Sequence, residues 1–259
     1  MYEEIVSGLA EFIKKSPTAF HAAANLAAML HENGYQRLDE GEQWEIRPGG
    51  RYYVTRNDSS IIALNVGEQL EDYRFKIAAS HSDSPTFKIK ENAEIQVRDK
   101  YTKLNTEGYG GMLCATWFDR PLSVAGRVVV REGKEYAAKL VNADRDLLLI
   151  PNMAIHMNRE VNKGYSYNNQ VDMLPLFGGS GCRKGDFKKL IAEELGVEVD
   201  AVCGMDLYLY NRMKPSVWGA DNEFISCPQL DDLQCAYTSL TGFLAGADDH
   251  AVNVFACFD

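Results

Sequence analysis

The feature that most constrains this chain is the run Phe75-Lys76-Ile77-Ala78-Ala79-Ser80-His81-Ser82-Asp83-Ser84-Pro85. It starts as a short apolar segment of the length and composition of a buried strand. It ends in a histidine, a carboxylate two residues on, and a proline. In an open α/β sheet, ligands sit at the carboxyl ends of the strands. A histidine there can bind a metal through one ring nitrogen, and a nearby aspartate can hold the other nitrogen and fix the tautomer. A His-x-Asp triplet is also common on ordinary surfaces, so the rest of the chain decides what this one means.

The chain has 259 residues, enough for one large or two modest domains, and its 46% apolar content supports a substantial core. A formal net charge of −10 argues against nucleic acid as the main partner. No apolar run approaches the roughly 18 residues of a membrane helix. The opening Met1-Tyr2-Glu3-Glu4-Ile5 lacks a basic segment followed by an apolar one, so no signal peptide is expected. The cysteines Cys114, Cys182, Cys203, Cys227, Cys235 and Cys257 form no C-x-x-C pair. They read as reduced thiols in a cytoplasmic protein.

Residues 2–14 carry Ile5, Leu9, Phe12 and Ile13 at helical spacing. Ser16-Pro17 reads as an N-cap and first helical residue for a second helix through Phe20, Ala23, Leu26, Ala27 and Leu30, ending at Gly34. His21 lies inside it as an ordinary helix histidine. A short strand is expected over Trp44 to Ile46. A hairpin is expected from 51–55 and 60–66 across Asn57-Asp58-Ser59. From about residue 92 the texture becomes mostly β, with strands over 95–97, 126–131, 136–141 and 147–150. Gly108, Gly110 and Gly111 do not form G-x-G-x-x-G, so no dinucleotide site is indicated. Residues 158–183 read as a long polar loop, and Gly179-Ser180-Gly181 is not a nucleophile elbow. A helix over 187–195 and a strand over 202–210 follow. Pro228-Gln229-Leu230-Asp231-Asp232 opens a helix with Leu233, Tyr237, Leu240 and Leu244 on its apolar face. There Asp231 and Asp232 read as ordinary first-turn acids. Residues 251–258 form a last buried strand.

Taken together, the chain resembles the M18 family of metalloaminopeptidases, the aspartyl aminopeptidases. The resemblance rests on Ser16-Pro17-Thr18-Ala19-Phe20-His21, Gly49-Gly50-Arg51-Tyr52-Tyr53, Thr55-Arg56-Asn57, Ser59-Ser60-Ile61-Ile62-Ala63 and Ser80-His81-Ser82-Asp83-Ser84-Pro85. It continues through Tyr109-Gly110-Gly111, Thr116-Trp117-Phe118-Asp119-Arg120, Leu122, Ile150-Pro151, Ala154-Ile155-His156, Pro228 and Leu230-Asp231. The resemblance implies a two-zinc exopeptidase. It assigns His81 as a ligand of the first metal, Asp83 as the carboxylate that orients it, and Asp231 as the bridge between the metals. His156 matches a histidine of a dimerisation domain that reaches toward the partner subunit's active site. Asp232 stands where the family usually has Asn and inherits no ligand role; Asn152 replaces a residue that is often His. The family's adjacent Glu-Glu pair, later aspartate ligand and last histidine ligand have no counterpart here. The chain is therefore expected to be the N-terminal part of such an enzyme and inactive alone.

The expected fold is an α/β, zinc-exopeptidase-like catalytic domain, residues 1–91 and 222–259, incomplete at its C-terminal side. A β-rich dimerisation domain, 92–221, is inserted into it. The expected function is a Zn2+-dependent aminopeptidase acting on peptide substrates with N-terminal Asp or Glu. It is expected to be a homo-oligomer built from dimers, with neither nucleic acid nor membrane as partner. Two alternatives remain: a non-catalytic assembly or regulatory subunit with the same fold, and a serine or cysteine hydrolase. The second lacks a nucleophile beside a plausible base.

Overall fold

The computed structural model describes residues 2–72 and 74–259. The first elements are α1 (Tyr2–Lys15), α2 (Ala19–Glu32), β1 (Gln36–Arg37), β2 (Arg51–Arg56), β3 (Ser60–Val66) and β4 (Arg74–His81). Next come β5 (Thr86–Val97), β6 (Tyr101–Tyr109), β7 (Leu122–Glu132), β8 (Glu135–Asn142), β9 (Leu176–Gly179), α3 (Asp186–Leu195) and β10 (Val202–Asn211). The last are β11 (Ser216–Trp218), β12 (Phe224–Ser226), α4 (Leu230–Ala245) and β13 (Ala251–Phe258). The chain divides into two units, one of residues 1–84 and 214–259, the other of residues 85–213. The first break falls ahead of the expected 91/92 because β5 starts at Thr86, and the second lies at 213/214 where 221/222 was expected.

In the first unit a mixed five-stranded sheet has the order β1-β2-β3-β13-β4. β13 is antiparallel to β3 and parallel to β4, with Phe258 opposite His81. α1 contributes Leu9, Phe12 and Ile13 to the core, α2 contributes Ala22, Leu26 and Leu30, and α4 contributes Leu233, Ala236, Leu240 and Phe243. They pack with Tyr53, Ile61, Ala63, Phe255 and Cys257 of the sheet. The helix spacing thus places the right stripes inward, although Ile5 stays 49% exposed at the start of α1.

Two local expectations are corrected. The second helix starts at Ala19 with Thr18 in the N-cap position. Ser16 is buried, and its hydroxyl accepts a hydrogen bond from Asn25 Nδ2 at 3.0 Å instead of capping. Residues Trp44 to Ile46 are not a strand. Trp44 spends its indole N–H on Asp39 O (2.6 Å), and among the described residues no strand pairs with the segment.

His21 is held by contact of its Nδ1 with Thr18 Oγ1 at 2.8 Å, and burial pushes it down to about 4. Between pH 6.5 and about 4 the unfolded histidine takes up a proton that the folded one refuses. Stability is therefore complete above about pH 6.5 and falls as pH drops through this window, by up to about 3 kcal/mol. Urea denaturation at pH 7 and pH 4.5 measures the loss, and His21→Gln is expected to flatten it.

The second unit is a six-stranded antiparallel sheet of order β8-β7-β10-β5-β6-β9. Its core gathers Phe87, Leu104, Leu122, Val128, Phe187, Ile191 and Leu207, with α3 supplying Phe187 and Ile191. Gly126 is required where β7 meets β10, because a Cβ there would lie 2.0 Å from the Asp206 carbonyl oxygen. Within the long loop expected over 158–183, residues 176–179 form edge strand β9, paired with β6. Leu148 to Ile150 form only isolated bridges.

Candidate metal centre

His81 is the last residue of β4, and the turn after it is fastened from two sides. The Ser82 N–H donates to Phe258 O at 2.7 Å, and its buried hydroxyl donates to Ser59 O at 2.7 Å. The strand end therefore cannot fray without breaking bonds to β13 and to the turn ahead of β3. His81 donates its Nδ1–H to Asp83 Oδ1 at 2.9 Å. A carboxylate only accepts, so this bond places the ring proton on Nδ1 and leaves the Nε2 lone pair free.

Nε2 faces the start of α4. Asp231 Oδ1 lies 3.7 Å from it and Asp232 Oδ2 lies 3.5 Å from it. One donor atom from each of His81, Asp231 and Asp232 falls within 4.8 Å of the other two. Neither aspartate is helical: Asp231 has φ −88 and ψ 110, and Asp232 has φ −117 and ψ 19, with a cis peptide bond between them. The preceding Gln229 is left-handed, with φ 61, and its side chain donates to Pro17 O at 3.1 Å. The reading of Asp231 and Asp232 as first-turn helix acids is thus corrected. The regular helix begins after them, and this non-helical pair turns its carboxylates toward the strand end.

Asp232 has a second task. Its Oδ2 accepts the backbone N–H of His81 at 3.0 Å, tying α4 to β4. Its side chain is only 13% exposed, whereas that of Asp231 is 82% exposed. Among the described residues, none of Asp83, Asp231 and Asp232 is ion-paired with a lysine or arginine. Burial opposes protonation of His81, but the Asp83 hydrogen bond and the charges of Asp232 and Asp83 outweigh it and hold the imidazole above its ordinary value. The Cys235 thiol, one turn along α4, is pushed up by its hydrogen bond to Asp232. Asp232 and Cys235 were not picked out by the sequence. Non-helical backbone at an apparent helix start leaves no pattern in composition or spacing.

The residues fit a zinc ion. One imidazole nitrogen and anionic carboxylate oxygens are zinc donors, and convergent carboxylates with no cationic partner leave a negative site that a divalent cation would neutralise. His156 lies in the other unit, exposed on a turn in which Met157 N donates to Ala154 O at 2.9 Å. Asn152 donates its backbone N–H to Asp119 Oδ1 at 2.9 Å.

A mixed α/β sheet that presents a histidine among carboxylates at a strand end is an α/β fold carrying a candidate metal site. Residues 12–259 match the model of family M18, described as aminopeptidase I zinc metalloprotease, and the chain belongs to that family. It is 45% identical over 263 residues to a probable M18 family aminopeptidase 2 of Clostridium acetobutylicum, covering 99% of this chain and 60% of the relative. The chain thus spans about 60% of the length of such curated relatives. A cryo-EM structure of the Ape4 and Nbr1 complex superposes with a TM-score of 0.93 at 31% identity, covering 99% of this chain and 54% of that one. The S. cerevisiae mApe1 dodecamer superposes with a TM-score of 0.85 over 100% of this chain and 61% of that one; at 22% identity it speaks for the fold alone.

Proposed function

We propose that this chain supplies part of the metal centre of an aminopeptidase that removes N-terminal residues, Asp and Glu by preference, from peptides. The observation that carries the reading is the convergence of His81 Nε2 with the Asp231 and Asp232 carboxylates. In this reading His81 and Asp231 hold zinc, with two ions in the assembled site, and Asp83 orients His81. When bound, the metal supplies a Lewis acid that polarises a carbonyl and acidifies a water. The chain's own residues do the positioning. Asp83 holds the ring proton on Nδ1, Asp232 fixes the backbone of His81, and the exposed Asp231 carboxylate faces incoming cation or substrate. Among the described residues no glutamate joins the cluster to act as general base, so the chain by itself is expected not to turn over peptide.

Residues 1–91 and 222–259 are read as catalytic and 92–221 as a dimerisation domain, whose His156 reaches toward a partner subunit's site. A homo-oligomer built from dimers is part of the same reading. A cytoplasmic location accords with six unpaired cysteines, and no helix among the described residues is long and apolar enough to cross a membrane. The second reading is a non-catalytic assembly or regulatory subunit with the same fold; among the described residues the cluster holds His81, Asp231 and Asp232.

The test joins this chain in one polypeptide to the further residues its relatives carry and measures release of Asp or Glu from a chromogenic aminoacyl substrate. Turnover abolished by a chelator and restored by zinc is expected. Turnover indifferent to chelation would defeat the metal reading, and zinc binding without turnover would favour the second one.

A further inference from the structure

A donor atom that shares a zinc ion with another must pass a distance test. Zinc–nitrogen and zinc–oxygen bonds are about 2.0–2.2 Å long, so donors at neighbouring corners of a tetrahedron stand about 3.3–3.6 Å apart. Asp232 Oδ2 lies 3.5 Å from His81 Nε2 and falls inside that range. Asp231 Oδ1 lies 3.7 Å from the same nitrogen, just outside it. The M18 resemblance gives a metal role to Asp231 and none to Asp232, yet Asp232 is the better placed of the two.

The surroundings of Asp232 suit a ligand. In a regular helix successive residues point about 100° apart and do not share a face. The non-helical backbone at both Asp231 and Asp232 lets two neighbours turn toward one nitrogen. The Asp232 side chain is 13% exposed, and among the described residues no lysine or arginine pairs with it. A carboxylate so far withdrawn from water is stabilised by a compensating charge, and a divalent cation supplies one. A carboxylate offers about four lone-pair positions. The His81 backbone N–H takes one at 3.0 Å and the Cys235 thiol takes another, which leaves room for a metal. Such outer hydrogen bonds orient a ligating carboxylate before the ion arrives.

We propose that Asp232 is a direct ligand of the metal, and that it completes with His81 and Asp231 a three-donor set for one cation. The inference rests on the metal reading above and adds a ligand to it. Three protein donors with a fourth position left open is the pattern of catalytic zinc. An asparagine at this position would keep an oxygen for the His81 N–H and lose the anionic donor. This chain is therefore expected to hold the ion more tightly than its own Asp232→Asn variant.

The experiment titrates zinc into the 259-residue chain and into its Asp232→Asn, Asp232→Ala and His81→Ala variants, with circular dichroism to show that each is folded. The visible spectrum of each cobalt-loaded chain is recorded at saturating cobalt. Asp232→Asn is expected to weaken zinc about 100-fold or more, beyond the cost of losing an outer partner. Its cobalt bands should change shape, because a neutral oxygen replaces the carboxylate on the metal. Asp232→Ala should lose at least as much. A residue that only held the His81 N–H would be replaced by Asn without loss, and only Ala would weaken binding; that pattern, with cobalt bands identical in parent and Asp232→Asn, would overturn the proposal. Zinc binding lost in His81→Ala but kept in Asp232→Asn would overturn it while leaving the metal reading in place. Binding unchanged in His81→Ala as well would overturn both.

Discussion

His81→Ala is expected to weaken zinc binding by this chain at least 100-fold, with little change in its fold. The side chain is half exposed at the end of β4 and fills no core volume, so its removal leaves no cavity. What it takes away is the only nitrogen donor of the cluster. Outer partners of a metal-binding histidine are worth about 10–100-fold in affinity, and the ligand itself must exceed them. Asp83→Ala supplies the graded comparison. It removes the acceptor of the Nδ1–H at 2.9 Å, frees the ring to rotate and change tautomer, and should cost about 10–100-fold. Isothermal titration at fixed pH and ionic strength measures both. The order parent, Asp83→Ala, His81→Ala is the signature of a ligand and its orienter. Equal affinity in parent and His81→Ala would mean that the cation sits elsewhere.

The part of this site that was legible in the sequence is the part encoded locally. His81 and Asp83 are two residues apart at the end of one strand, and strand plus turn chemistry is enough to put them together. Asp231 lies far along the chain, and only the family resemblance points to it. Neither periodicity nor spacing joins it to β4. Asp232 inherits no ligand role because the family usually carries Asn there, and a Pro-x-x-Asp-Asp start reads as the first turn of a helix. Its contact with the His81 N–H depends on two successive non-helical residues, a backbone choice made by tertiary context. In the fold, long periodic elements such as α1, α4 and β13 were readable from side-chain pattern. Segments whose state depends on a distant partner were not. Trp44 to Ile46 has strand composition and finds no strand to pair with, whereas residues 176–179 have loop composition and are recruited by β6.

Phe255→Ala is expected to destabilise the first unit by about 3–5 kcal/mol, the range for truncating a buried aromatic residue. The register explains why this position is at the severe end. Phe255 is fully buried in the middle of β13, and its cross-strand neighbours are Ala63 on β3 and Ala78 on β4. Two alanines beside it make the room its ring fills, and its ring lies 6.1 Å from that of Phe243 on α4. Cutting the ring back to a methyl group leaves this cross-strand row with no large side chain between Tyr53 on β2 and the sheet edge. The alanines cannot extend into the gap, and β13 is pinned on both sides by its pairing, so the void cannot close cheaply. Phe255→Leu keeps most of the volume and should cost less than half as much. Hydrogen exchange at the amides of 61–66 and 251–257, measured with urea denaturation of the same variants, reads the effect where it arises. A loss below about 1 kcal/mol for Phe255→Ala would show that β13 is not the centre of this core. It would also weaken the case for His81, whose position depends on the same strand through the bond from Ser82 N–H to Phe258 O.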